Sequence, residues 1–464
     1  MLILDVEVAF LHGDLHEDIY MVLPTGYHLL PENEQYLRKI GYRGPIHQAK
    51  NHFCAKLGKG LYGLVQAARQ WWKKFITELT RIGFIKGEVD PCLLYRRNEN
   101  GLCIVIVYVD DCIWLANEKA LSTTVQEIQK IFKIKINYNL DEYLGCKLLH
   151  NKSSIFIHQP HIYKHLIEIF LPIITQPTTG TIKTYTTPGT PGFRVIRPQP
   201  EDSTLSEEDQ KMYRSGVGIL LYLVKHSRPD LSNPTRELSK AMDRATIAHY
   251  RELKRVITYT ISTQNKGLLL QPTSNLRKLS LHLLVDAEFG GDINDRKSIM
   301  GRLIYLNNAL IGWSSKSMTG VTLSSTEAEY VSMSEAVKDL KFVHMCISYL
   351  GFKVELPMYV YINNIGAIDM LQNQSTKACT KHIDIRYHWL RNYEQEGFIK
   401  INFKRSEENT SDVMTKNVSK VLFDKHVPNL VSEQNYHSKN RKGLVPVVPK
   451  DNKFIYNNLS KTEK

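Results

Sequence analysis

Two adjacent carboxylates, Asp110 and Asp111, interrupt a stretch that otherwise has to be buried: Leu102-Cys103-Ile104-Val105-Ile106-Val107-Tyr108-Val109 precedes them and Cys112-Ile113-Trp114-Leu115-Ala116 follows at once. β-Branched and aromatic residues on both sides suit a pleated surface, so the segment reads as a buried hairpin with two acids at its tip. Taken alone, Asp at such a tip is an ordinary turn residue.

A third carboxylate sits in a matching place. Met1-Leu2-Ile3-Leu4 is a short apolar strand that ends at Asp5, and the chain leaves it through a turn containing Gly13. Side chains alternate along a strand, so one of Asp110 and Asp111 can face Asp5 while the other leans differently. Carboxylates gathered in this way suit two Mg²⁺ ions, which prefer hard oxygen ligands and clamp the attacking and leaving oxygens of a phosphoryl transfer. The chemistry implied is nucleotidyl transfer.

Three ordered segments carry a resemblance. They are Asp5-Val6-Glu7-Val8-Ala9-Phe10-Leu11-His12-Gly13-Asp14-Leu15, Leu61-Tyr62-Gly63-Leu64-Val65-Gln66-Ala67-Ala68-Arg69-Gln70-Trp71-Trp72, and Tyr108-Val109-Asp110-Asp111. In that order they resemble the central polymerase motifs of copia-type LTR-retrotransposon reverse transcriptases. The resemblance implies that Asp5, Asp110 and Asp111 bind the catalytic Mg²⁺ or Mn²⁺. It implies that Phe10 is the bulky gate excluding a ribose 2′-hydroxyl and that Gln66 lines the incoming-nucleotide pocket. Without it, Phe10 reads as a core aromatic and Gln66 as a polar residue opening a helix through Trp71, Trp72 and Phe75.

The balance of charge is compatible with a nucleic-acid partner. The formal net charge is +13 and the sequence pI about 9.2, which favours phosphate backbones. No apolar stretch approaches the roughly 18 residues that span a bilayer, and no basic region precedes an apolar one at the N-terminus. The sequence therefore reads as soluble and intracellular, cytoplasmic or nuclear, and not secreted. Cys54, Cys92, Cys103, Cys112, Cys146, Cys346 and Cys379 are scattered singly, without zinc spacing or a disulfide framework.

Two composition breaks divide the chain. From about Pro172 to Asp209, prolines mix with Thr, Gly and an acidic cluster, and no hydrophobic period survives, which predicts a linker or a long surface loop. From Ser438 onward, 7 Lys and Arg stand against 2 Asp and Glu, which predicts a flexible basic tail. Between them, Ser206 and the acids after it start a helix whose apolar positions run from Tyr213 to Val224 and stop at Arg228-Pro229, and a second helical stretch covers Leu238 through Ile261. Tyr213-Arg214-Ser215, Gly218, Leu221-Tyr222 and Ser227-Arg228-Pro229-Asp230 match the segment that copia-type elements place between polymerase and nuclease. By that resemblance it connects the two sites and holds the hybrid duplex.

A second acidic constellation follows. Leu279 through Val285 is a strand ending at Asp286, with strands at Met300 to Leu306 and Ala309 to Trp313. Ser324-Ser325-Thr326-Glu327 is a capping box that opens a helix ended by Gly351, with Glu329 in the first turn, where an acid also suits the helix dipole. The strand from Met358 to Ile362 ends in Asn363-Asn364, and Ser411-Asp412 opens a short helix. Asp286-Ala287-Glu288, Leu323 through Tyr330, Lys381-His382-Ile383-Asp384-Ile385 and Asp412-Val413-Met414-Thr415-Lys416 resemble the ribonuclease H domain of the same elements. In that domain four carboxylates hold two metals. Asp286, Glu329 and Asp412 match three of them, and Asn363 stands where the fourth carboxylate belongs. An amide supplies less charge there, so affinity for the second ion is expected to fall.

The expected fold class is α+β. It comprises a reverse-transcriptase palm and thumb over 1–171 with the fingers truncated, a linker over 172–209 and a helical connection over 210–275. A ribonuclease H-like α/β domain over 276–420 and a basic tail over 421–464 complete it. The expected partners are an RNA template, a DNA primer, an RNA/DNA hybrid and dNTPs. The chain begins four residues before Asp5, where related polymerases have a fingers region, so reduced activity is expected. The competing reading is a non-catalytic remnant that only binds nucleic acid.

Overall fold

Leu2–Val6 forms β1, flanked by antiparallel neighbours on both sides. In the computed structural model, which describes residues 1–151, 153–176, 179–271, 278–372 and 389–434, this strand belongs to a unit that ends at Leu140. The other elements of that unit are β2 (Tyr20–Val22), α1 (Pro31–Lys39), β3 (Cys54–Lys56), α2 (Ala67–Arg81), β4 (Ile85–Lys86), β5 (Leu93–Asn98), β6 (Gly101–Tyr108), β7 (Asp111–Ala116), α3 (Glu118–Gln129) and β8 (Ile134–Asn137). The main sheet has the order β4-β5-β6-β7-β1-β8.

Strand alternation decides the faces of this sheet. Leu2, Leu4, Val6, Cys112 and Trp114 are buried together with Trp71, Phe75 and Leu79 of α2 and Ala120, Val125 and Ile128 of α3. Residues between them on β1 and β7 point to the other face. A small separate core of Leu23, Leu37 and Ala49 holds the β2–β3 pair and α1.

The second unit starts at Asp141. It contains β9 (Glu142–Tyr143), β10 (Cys146–His150), β11 (Ile155–His158), α4 (Pro160–Ile174), α5 (Glu207–His226), α6 (Ser232–Ser239), α7 (Ile247–Ser262), β12 (Lys266–Leu270), β13 (Leu281–Glu288), β14 (Ile299–Leu306), β15 (Ala309–Ser317), α8 (Ser325–Tyr349), β16 (Met358–Ile362), α9 (Ile365–Gln372), β17 (Ile399–Phe403) and β18 (Ser432–Glu433). One sheet has the order β18-β12-β11-β10-β9 and the other β15-β14-β13-β16-β17. In the latter, β13, β14 and β15 are antiparallel, whereas β16 and β17 continue in parallel with β13. The molecule is thus a mixture of helices and sheets, with mixed pairing in the sheet that carries Asp286.

The proline-rich stretch after Pro172 is irregular but packed. α4 runs through Pro172 to Ile174. Beyond it, Val195 is fully buried among Tyr213, Leu253 and Ile257. The Thr190 backbone N–H and hydroxyl donate to the two carboxylate oxygens of Glu252, at 2.6 and 2.7 Å. Side chains from the helices thus satisfy backbone that no ladder pairs, which is why a buried segment shows no period.

The stretch expected as one helix over Leu238 to Ile261 is two. α6 stops at Ser239, and Thr246 restarts the chain as α7 by accepting from the His249 amide while His249 Nδ1 accepts from the Thr246 amide. Arg228 and Asp230, expected to help hold a duplex, are both completely buried. The guanidinium donates to both Asp230 oxygens at 2.8 Å, to the Tyr163 hydroxyl at 2.5 Å and to the Thr263 carbonyl and hydroxyl, so the pair serves the interior of the unit. The Lys381–Ile385 motif and the tail from Ser438 lie outside the described residues, but of the tail expected over 421–464 residues 421–434 are folded: the helix Lys420–His426 and the segment after it bury Phe423, Val427, Leu430 and Val431 in the core, and β18 pairs with β12.

Candidate active sites

Asp5 and Asp111 are register partners across β1 and β7. Leu4 and Val6 are buried against the helices, so Asp5 between them is turned to the opposite face, and Asp111 shares that face as its cross-strand neighbour. On the other side Tyr108 pairs with Asp111, which leaves Val109 and Asp110 as the turn. The turn is therefore displaced by one residue from the Asp110-Asp111 tip that the sequence suggests. Asp111 opens the strand, and Asp110 alone occupies the tip with Val109.

Val109 has φ 56°, a left-handed conformation that costs a β-branched residue on the order of 1–3 kcal/mol. Its carbonyl accepts a 2.6 Å hydrogen bond from the indole N–H of Trp71, which is buried in α2. The helix thus holds the tip of the acidic hairpin in a conformation that the sequence disfavours. Burial, followed by the charges of Asp110 and Asp5, keeps the Asp111 carboxyl above the usual range. Burial and then the same two charges push the Tyr62 phenol up. The three carboxylates therefore act on common ground, and Tyr62 borders it.

Tyr62 lies 4.6 Å, centroid to centroid, from the Phe10 ring. A side chain on Gly60 would come within 2.6 Å of the Phe10 carbonyl, so only glycine lets these two loops approach. Gln66 sits at the start of α2 and donates from its amide to Glu17 Oε2 at 2.7 Å.

The second unit gathers Asp286 on β13, Glu329 on α8 and Asp412 at the start of the helix Asp412–Thr415, all of them buried. Ser324 caps α8 by accepting from the Glu327 amide, but Glu327 returns to the Leu323 amide at 2.7 Å rather than to Ser324. Glu329 is turned inward. Burial, then the charge of Asp286, with an opposing amide hydrogen bond from Ala287, pushes its carboxyl up to about 9. Asp412 is also raised, by burial and Asp286, against the pull of Lys416.

The donors around this cluster come from the protein itself. Asp286 Oδ1 accepts from Asn363 Nδ2 at 3.1 Å and Oδ2 from the Thr415 hydroxyl. Lys416 Nζ lies 2.9 Å from Asp412 Oδ2. Glu329 Oε2, Asp412 Oδ1 and Asn363 Oδ1 are buried and accept nothing among the described residues. Glu288, two residues along β13 from Asp286, pairs with Arg194 of the irregular stretch.

Among the described residues, no group of three or more His, Cys, Asp or Glu side chains is drawn close enough to hold a metal ion. The two clusters differ in their fit to one. Asp5 and Asp111 are cross-strand partners, and the charges of Asp110 and Asp5 add to burial in raising Asp111, so this side offers the hard oxygens that a divalent cation takes. Around Asp286, an amide and an ammonium already occupy the acids, which does not suit two. Sequence reasoning assigned no role to Trp71, Tyr62, Thr415 or Lys416. The i, i+4 spacing of Asp412 and Lys416 was the one visible signal.

The acidic hairpin and the strand opposite it lie within a reverse transcriptase domain: residues 1–183 match the reverse transcriptase (RNA-dependent DNA polymerase) family. Over nine-tenths of its length the chain is similar to the Pol polyproteins of copia-type retrotransposons. It is 31% identical over 424 residues to the retrovirus-related Pol polyprotein from transposon RE1 of Arabidopsis thaliana, covering 90% of this chain and 26% of that protein. It is 30% identical over 428 residues to the corresponding polyprotein from transposon TNT 1-94 of Nicotiana tabacum, covering 91% and 30%. The chain thus spans less than a third of these relatives' length. Among solved structures, a foamy viral protease-reverse transcriptase in complex with ds DNA aligns with a TM-score of 0.20 at 14% identity, covering 76% of this chain and 53% of that one. No helix among the described residues is long and apolar enough to cross a membrane.

Proposed function

We propose that the first unit is the palm of an RNA-directed DNA polymerase that extends a DNA primer on an RNA template with dNTPs. The thumb extends in this reading to residue 171, and the sheet carrying Asp286 is a ribonuclease H-like domain over 276–420 joined through a connection over 210–275. The observation that supports the polymerase most is the register pairing of Asp5 with Asp111, beside a hairpin tip pinned by Trp71. Asp5, Asp110 and Asp111 would hold Mg²⁺ or Mn²⁺, which supplies the positive charge that activates the primer hydroxyl and stabilises the leaving phosphate. Phe10, whose ring lies against Tyr62, would exclude a ribose 2′-hydroxyl, and Gln66 would line the nucleotide pocket. The net charge of +13 suits a nucleic-acid partner.

The test is primer extension by the chain and by Asp110→Asn. Loss of extension in the variant supports the assignment, and extension that persists means that the acids are misassigned. A second reading, in which the nuclease site binds a hybrid without cleaving it, is favoured by Asn363 and Lys416 standing against Asp286 and Asp412.

A further inference from the structure

Among the donors that reach the acids around Asp286, one is an ammonium, that of Lys416. Lys416 closes one turn of helix back onto Asp412, at 2.9 Å, in surroundings that also contain Asp286 and Glu288. Glu288 has a separate partner in Arg194. Asp286 is held on both oxygens, by Asn363 and Thr415. What remains are two buried carboxylate oxygens without partners, Glu329 Oε2 and Asp412 Oδ1, on residues 4% and 3% exposed. Buried acids left in this state cost stability unless a cation compensates them.

We propose that Lys416 is a resident counter-cation of this cluster, and that a divalent ion and the Lys416 ammonium compete for the same acids. The inference rests on reading the cluster as a former or present metal site. The protein itself sets three donors on these acids: the Asn363 amide and Thr415 hydroxyl on Asp286, and the ammonium on Asp412. Glu329 and Asp412 would hold a divalent ion through their unpartnered oxygens, and the ammonium that Lys416 sets on Asp412 would oppose it. Lys416 is a positioning residue here, since it acts on the acids and not on a substrate.

The experiment is thermal unfolding of the full chain in chelator and across a Mg²⁺ or Mn²⁺ titration. Every protein carries Asp5→Asn, Asp110→Asn and Asp111→Asn, so that the acids of the first cluster are removed. The parent should gain little from millimolar metal. Lys416→Met should unfold at lower temperature in chelator and recover with metal, by roughly 5 °C at saturation, with a midpoint at about tenfold lower metal than the parent. Adding Asp412→Asn to Lys416→Met should abolish that recovery. Lys416→Arg, which keeps the charge, should behave as the parent does. If the parent and Lys416→Met respond to metal alike, the competition is refuted while the metal-site reading stands. If no variant responds, including Lys416→Met with Asn363→Asp, the metal-site reading itself fails.

Discussion

The indole N–H of Trp71 donates to the carbonyl of Val109, one residue before the acid at the hairpin tip, and joins the hydrophobic core of the first unit to its candidate catalytic face. A buried tryptophan that donates to a strained backbone does two things at once. It fills the core and fixes the direction of Asp110. Trp71→Phe keeps much of the volume and removes the donor, so it should cost about 2 kcal/mol in urea unfolding. Val109→Gly removes the left-handed penalty and should leave stability unchanged or raise it by up to ~1 kcal/mol. Both should lower primer extension, because both loosen Asp110. A Val109→Gly protein with full extension would show that the strain has no part in placing the acid.

Arg228 and Asp230 provide a test confined to stability. All five guanidinium N–H groups find acceptors, and Tyr259 donates its hydroxyl to Asp230 at 3.3 Å. Removing one partner leaves the other charge buried and unpaired, so Arg228→Ala and Asp230→Ala should each cost about 3–5 kcal/mol. The double variant should cost clearly less than the sum. Additive losses in chemical denaturation would show that the two groups do not act as a pair.

The first cluster was largely legible in the sequence because its signal is local. An apolar strand ending in Asp5 and an apolar hairpin around Asp110 and Asp111 each announce themselves within a dozen residues. The displacement of the turn to Val109 and Asp110 was not legible, because a positive φ at valine is imposed by Trp71, 38 residues away. Arg228-Pro229-Asp230 was visible as a motif, but its burial depends on Tyr163 and Thr263, 65 and 35 residues away. Val195 lacked a periodic pattern because its segment is held by side chains such as Glu252 rather than by a ladder. Asn363 was recognised as a departure, whereas the donor it offers to Asp286 required the fold.

Glu329 should make the stability of the second unit depend on pH. Its carboxyl lies at about 9 in the folded chain, against 4.5 ordinarily, so folding favours the protonated acid. The contribution is present in full below about pH 4.5 and is lost as pH rises through about 9, where the fold must hold a buried charge. In chelator the unfolding temperature should therefore fall between pH 5.5 and 8.5. Glu329→Gln should flatten that fall and raise stability at pH 8.5 by ~2 kcal/mol, roughly 4 °C or more for a unit of this size. A variant that follows the parent at every pH would mean that Glu329 is solvated or paired in solution.

Asn363 tests the nuclease reading at one atom. At the sequence level a strand end tolerates Asn or Asp equally, which predicts little change in stability on Asn363→Asp. The structure revises this. The side-chain amide donates to Asp286 at 3.1 Å and to Ser406 at 3.0 Å, so a carboxylate replaces a donor with a charge that faces another charge. In chelator Asn363→Asp should lose about 1–3 kcal/mol, and a divalent ion should restore it, because the same charge that repels Asp286 attracts the ion. Cleavage of the RNA strand of an RNA/DNA hybrid by the full chain should rise with the substitution at matched Mg²⁺. If the parent already cleaves substantially and the variant no faster, then Asn363 is no defect and another residue holds the metal. Greater cleavage without metal-dependent recovery of stability would separate the two effects and place the gain in substrate binding.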